Sequence, residues 1–168
     1  MCTLRWQYCR MSKIHRYQAT IAWTGNRGTG TENYHSYSRD HEIHCPEKPL
    51  IAGSSDSAFR GDANRYNPEE LLVASISSCH MLWYLHLCAD AGVIVTAYED
   101  AAEGHMQESA DGSGRFTDVV LHPNVTIAAG GDAVLAERLH AQAHEKCFIA
   151  NSVNFPISYA ARVAISQK

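Results

Sequence analysis

From Leu71 to Ala89 the chain carries no Asp, Glu, Lys or Arg, and apolar residues fall on nearly every face of the helix this run would make. The run is preceded by a helix start. In "NPEELLVASISSCH" (67–80), Asn67 is a good cap and Pro68 suits the first helical position. Glu69 and Glu70 favour the positive end of the helix dipole, and Gly92 supplies a stop near Ala91. A helix that is apolar all round is either deeply buried or spans a membrane. Ser75, Ser77, Ser78, His80 and His86 are poor lipid-facing residues, and Lys and Arg are not concentrated on one side. The 168-residue chain fits one domain, and a domain of that size can hardly wrap one helix completely. Burial by a second subunit follows as the expectation: a homodimer whose long helices pack together.

The rest of the chain alternates strands with helices. "RYQATIAWT" (16–24) places Tyr17, Ala19, Ile21 and Trp23 on one face, which predicts a half-buried strand. A second strand is expected within "YHSYSRDHEIHC" (34–45), and a short one around Leu50 and Ile51 in a loop-rich stretch. After the long helix, "VIVTAYEDAAEGHM" reads as a strand, "ESADGSGR" as a hairpin turn and "FTDVVLHPNVTIAA" as the returning strand. "DAVLAERLHAQAHEKC" is an amphipathic helix with Val134, Leu135 and Leu139 on its apolar side, and "ISYAARVAIS" is a closing strand. Strand runs separated by helices, with evident hairpins, predict an α+β class with a mostly antiparallel sheet. Residues 1–15 read as an N-terminal extension and 16–168 as a single domain.

Net charge is −4, with basic residues scattered, so neither a nucleic-acid footprint nor a polybasic membrane-surface segment is present. "MCTLRWQYCR" is not followed by an apolar core, and Met11 is an alternative start. A cytoplasmic location is therefore expected, where thiols stay reduced unless they do redox work.

Cysteines stand at 2, 9, 45, 79, 88 and 147, with no CxxC and no zinc-ribbon spacing. Cys79 and Cys88, nine residues apart, point to opposite helix faces about 13 Å apart along the axis and cannot pair. Cys88 reads as a small core residue, and so, on spacing alone, does Cys79. A reactive Cys79 would sit too far from the helix start for the dipole to lower its pKa. It would need a cation brought by another segment.

"NPEELLVASISSCH" followed by Cys147 in "AHEKCFIANS" resembles the osmotically inducible protein C / organic hydroperoxide resistance (OsmC/Ohr) family, over most of the chain after residue 16. The resemblance implies an OsmC-like fold: antiparallel sheets around a long buried central helix and a second helix, in an intertwined homodimer. It implies a thiol peroxidase acting on organic hydroperoxides, with Cys79 as peroxidatic thiolate, Cys147 as resolving thiol, an external dithiol as reductant, and neither cofactor nor metal. Glu69 would orient an arginine that stabilises the thiolate. Arg60 in "SAFRGD" is favoured because its loop leads into the helix; Arg27 and Arg65 are the alternatives. Glu69 and Cys79 in one straight helix lie about 15 Å apart along the axis, so a shared site would draw Glu69 from the partner subunit. Two departures mark a less characterised branch: the segment around Cys147, "CFIANSVN", is not the proline-containing form common in the best-known members, and His80 follows Cys79 where the family often has a bulky apolar residue.

An apolar pocket for the hydroperoxide would draw on Trp83, Tyr84 and Phe148. Competing readings are a zinc or copper site from His80, His86, His144, Cys79 and Cys147, and a hydrolase with Cys79 as nucleophile and His144 as base. A third is a non-catalytic thiol sensor or binder of apolar molecules.

Overall fold

The computed structural model describes residues 13–167, so Cys2, Cys9, Met11 and most of the expected N-terminal extension lie outside the described residues. The chain divides between Tyr66 and Asn67 into two compact units.

The first unit is a three-stranded antiparallel sheet in the order β1-β2-β3, with β1 Thr20–Trp23, β2 His41–His44 and β3 Ile51–Gly53. β1 is shorter than the alternation suggested, and Ile21 and Trp23 remain exposed rather than half-buried. The loop after β3 tightens into a 3₁₀ turn at Ser57–Phe59, capped by the Asp56 carboxylate, which accepts the Ala58 N–H at 2.7 Å. Arg60 closes that turn in the left-handed region at φ 66°, a conformation that costs a non-glycine residue about 1 kcal/mol.

The second unit holds both helices. α1 spans Pro68–Asp90 and starts as read: Asn67 accepts the Glu70 N–H at 2.7 Å while the Glu70 carboxylate accepts the Asn67 N–H at 3.1 Å, a reciprocal capping box. Gly92, at φ 74°, turns the chain out of the helix. Four strands follow: β4 Val95–Asp100, β5 Glu103–Glu108, β6 Gly114–Leu121 and β7 Pro123–Ile127. α2 spans Ala133–Lys146, and β8 Ile157–Tyr159 and β9 Arg162–Ile165 end the chain.

Each of the three long strands read from sequence is in fact two. β4 with β7 and β5 with β6 form antiparallel ladders in separate sheets, ordered β4-β7-β9 and β5-β6-β8. The breaks fall at 101–102, 122 and 160–161, so one long hairpin and its neighbour bend together. Asp100 fixes the bend: it accepts the His122 N–H at 2.7 Å and the Ser77 hydroxyl of α1 at 2.5 Å. β8 and β9 pair in parallel with β6 and β7, because α2 carries the chain back across the sheet before it returns. The structure is thus α+β with antiparallel and mixed sheets.

Only one stripe of α1 is buried in the chain: Ile76, His80, Tyr84 and Cys88, each one turn further along. Leu82 stays 63% exposed. Tyr84 and Cys88 join Val125, Ile127, Ala136, Leu139 and Ala143 in one core, and Ile76 joins Val119 and Leu121 in a second. By length and hydropathy α1 could cross a membrane, yet this stripe is packed against protein as in a core helix. α2 buries Ala136, Leu139, His140 and Ala143 instead of the expected Val134, which is 68% exposed.

Candidate functional site

The second unit brings two of the expected site residues together. Cys79 lies near the middle of α1, one residue before the buried stripe residue His80, and is half-buried. Cys147 caps the C-terminus of α2 and is 1% exposed. The two thiols are free, and Cys147 lies beside Cys79, whose proximity adds to the upward shift of its pKa, although 68 positions separate them in sequence.

Cys147 is held by the turn that follows it. The Ala150 N–H points at Cys147 Sγ at 3.4 Å, and the Asn151 amide donates to the carbonyls of Glu145 and Cys147, each at 2.9 Å. These bonds help satisfy carbonyls at the helix end, where the Cys147 carbonyl also accepts the Asn151 backbone N–H at 3.0 Å. Burial raises the Cys147 pKa above the ordinary cysteine range, against the lowering effect of the Ala150 N–H, so at neutral pH the group is a thiol.

Cys79 opens on a cleft of about 490 Å³ along the outer face of α1. Its walls are Leu82, Trp83, His86, Phe148 and Ile149, with the Ser75 and Ser78 hydroxyls at one end. Trp83 and Phe148 meet edge to face with centroids 5.5 Å apart, and the Lys146 ammonium lies over the Trp83 ring at 5.6 Å. Two of the three aromatics expected in the pocket are there. Tyr84 is not: one residue past Trp83, it turns into the core, where it is fully buried.

Glu69 stands in the first turn of α1, ten residues and about 15 Å of helix from Cys79. Arg60, Arg27 and Arg65 belong to the first unit. Arg65 is engaged by Asp40 at 3.9 Å and Asp62 at 3.7 Å, whereas Arg60 is exposed, makes no ion pair among the described residues, and lies 6.0 Å from the Tyr34 ring centroid. His86 pairs with Asp90 at the surface at 3.5 Å. No group of three His, Cys, Asp or Glu with metal-binding geometry occurs among the described residues.

Sequence reading missed a buried histidine pair behind the thiols. His80 Nε2 lies 3.0 Å from His140 Nδ1 with the two rings stacked 5° from parallel, and Tyr84 stacks on His140 at 3.9 Å between centroids. Both imidazoles are buried, which lowers each pKa from 6.5 to about 4 and keeps both neutral. The available signal was His140 standing on the apolar face of α2, at 136, 139, 140 and 143; its partner 60 residues away had none.

Comparison with known proteins places the fold. Residues 61–160 match the family model described as OsmC-like protein. An OsmC-like protein of unknown function from Vibrio cholerae superposes with a TM-score of 0.80 at 29% identity, covering 89% of this chain and 100% of that one. An organic hydroperoxide resistance protein from Elizabethkingia anophelis gives 0.67 at 18% identity, covering 93% of this chain and 100% of that one. One from Legionella pneumophila gives 0.66 at 16%, covering 91% and 99%. At these lower identities the likeness speaks for the fold. No curated protein matches the chain by sequence.

Proposed function

The chain belongs to the OsmC-like protein family, and from that premise we propose that it is a cysteine-dependent peroxidase reducing organic hydroperoxides to alcohols. The observation that carries the proposal is the pair of free thiols in contact, one opening on an apolar cleft and the other buried behind it. Structural neighbours named organic hydroperoxide resistance proteins support the substrate class.

In the first step the Cys79 thiolate attacks the O–O bond of ROOH. The sulfur takes the terminal OH and becomes a sulfenic acid, and the departing alkoxide takes a proton to become ROH. Cys147, kept as a thiol by burial, then attacks the sulfenic sulfur. The S–S bond forms as the S–OH bond breaks, and the thiol proton leaves with the hydroxyl as water. An external dithiol reduces the disulfide by exchange and is itself oxidised to a cyclic disulfide. Cys79 is the more accessible sulfur and is the one a reductant reaches.

The cation Cys79 needs is assigned to Arg60, whose guanidinium makes no ion pair among the described residues, with Arg27 as the alternative. Glu69 orients it. Because Glu69 lies about 15 Å along α1 from Cys79, we assign the role to Glu69 of the partner subunit in a homodimer, which would also cover the exposed face of α1. The protein acts in the cytoplasm, without metal or cofactor, and needs neither membrane nor nucleic acid.

The test is consumption of cumene hydroperoxide with a dithiol by wild type, Cys79→Ser and Cys147→Ser. Turnover lost in Cys79→Ser, with a 79–147 disulfide in oxidised wild type, is expected. A disulfide without turnover would move the function to sensing. Absence of both would refute the redox pair.

A further inference from the structure

We propose that the buried His80–His140 hydrogen bond is a register pin, making these two histidines positioning residues for the Cys79–Cys147 disulfide. The inference rests on the reading of the two cysteines as a redox pair. α1 and α2 pack through Tyr84 and Cys88 on one side and Ala136, Leu139 and Ala143 on the other. Apolar surfaces of this kind tolerate sliding, because ridges meet grooves at more than one setting. Among the described residues the bond between His80 Nε2 and His140 Nδ1, at 3.0 Å, is the side-chain hydrogen bond that joins the two helices. Sliding would break it and leave further buried polar atoms unpartnered.

The pair gains little else. His80 Nδ1 and His140 Nε2 are buried without a partner, so each ring is satisfied only by the other. Two apolar side chains would fill the same space without that desolvation cost, which is the pattern expected where a buried polar contact fixes one arrangement among several. Its position fits that role. His80 is adjacent to Cys79, and Cys147 caps α2 two turns beyond His140. A disulfide tolerates only a narrow window of Cα separation, so a shift of a few ångströms between the helices removes it.

The experiment uses the full chain. Diamide oxidises the thiols, taking two electrons and two protons per disulfide, and the 79–147 disulfide is titrated in dithiothreitol buffers and followed by its linked-peptide mass. His80→Leu/His140→Phe keeps a ring on Tyr84 and removes the bond. Its midpoint should become less negative, by about 30 mV for a tenfold fall in the equilibrium constant. Resolution of the Cys79 sulfenic acid should slow about tenfold in step, while the rate of Cys79 alkylation stays at the wild-type value. His140→Gln, which retains hydrogen-bonding capacity, should titrate near wild type. Val125→Ala, a loss from the same core, should lower stability and leave the potential unchanged. An unchanged potential in the double variant, or an equal shift in Val125→Ala, overturns the proposal. If the double variant does not fold, His140→Phe alone is titrated with the same expectation. Failure of wild type to form the disulfide even with diamide would refute the redox pair itself; a disulfide of equal potential in every variant would refute only the pin.

Discussion

Acidification should destabilise this protein through two residues. His80 and His140 have a pKa of about 4 when folded and about 6.5 when unfolded. Between those values the unfolded chain binds more protons than the folded one, so stability is full above pH 6.5 and falls as pH falls toward 4. From pH 7 to pH 5 each imidazole loses roughly 2 kcal/mol, about 4 for the pair. That is a large fraction of the 5–15 kcal/mol typical of a native protein. The surroundings offer little compensation: burial is the main cause for both, His144 opposes protonation of His80, and Asp100 favours it without reversing the shift. Tyr84 and Tyr159 face the pair with their rings. The assay is urea unfolding followed by far-ultraviolet circular dichroism at pH 7 and pH 5, at fixed protein concentration so that any association cancels. His80→Gln/His140→Gln, which cannot titrate, should lose most of the difference. Equal pH dependence in the double variant and wild type would show that the pair is not the acid-sensitive element.

Three further outcomes follow from packing. Phe148→Ala should raise KM for cumene hydroperoxide several-fold, about 1 kcal/mol of lost apolar contact, while thermal unfolding barely moves because the side chain is 69% exposed. Asn67→Ala removes one half of the capping box and should cost about 1 kcal/mol in urea unfolding, with little effect on the rate of Cys79 alkylation. Gly104→Ala should destabilise by about 1–3 kcal/mol, since its methyl would stand 2.7 Å from Val73 Cγ2 on α1 and 2.8 Å from Phe116; a variant as stable as wild type would mean that β5 and α1 approach less closely.

The sequence by itself determined what neighbours along the chain decide. Asn67, Pro68 and Glu70 set the start of α1, Gly92 its end, and "ESADGSGR" the hairpin, because caps and turns are satisfied within a few residues. The two thiols were legible for a different reason: the motif around Cys79 and the spacing to Cys147 belong to a recognisable family pattern. Tertiary structure decided the rest. Alternation fixes which residues share a face but not where a strand bends or what it pairs with. The breaks at 101–102, 122 and 160–161 and the parallel pairing of β8 and β9 therefore depend on contacts such as Asp100 with His122, across 22 positions. Helical spacing separates Trp83 from Tyr84 by about 100°, yet only the packing of α2 and the sheet made one a wall of the cleft and the other core. The His80–His140 pair lay beyond any local reading, because a buried polar contact exists only when both partners are folded against each other, and 60 residues separate these two.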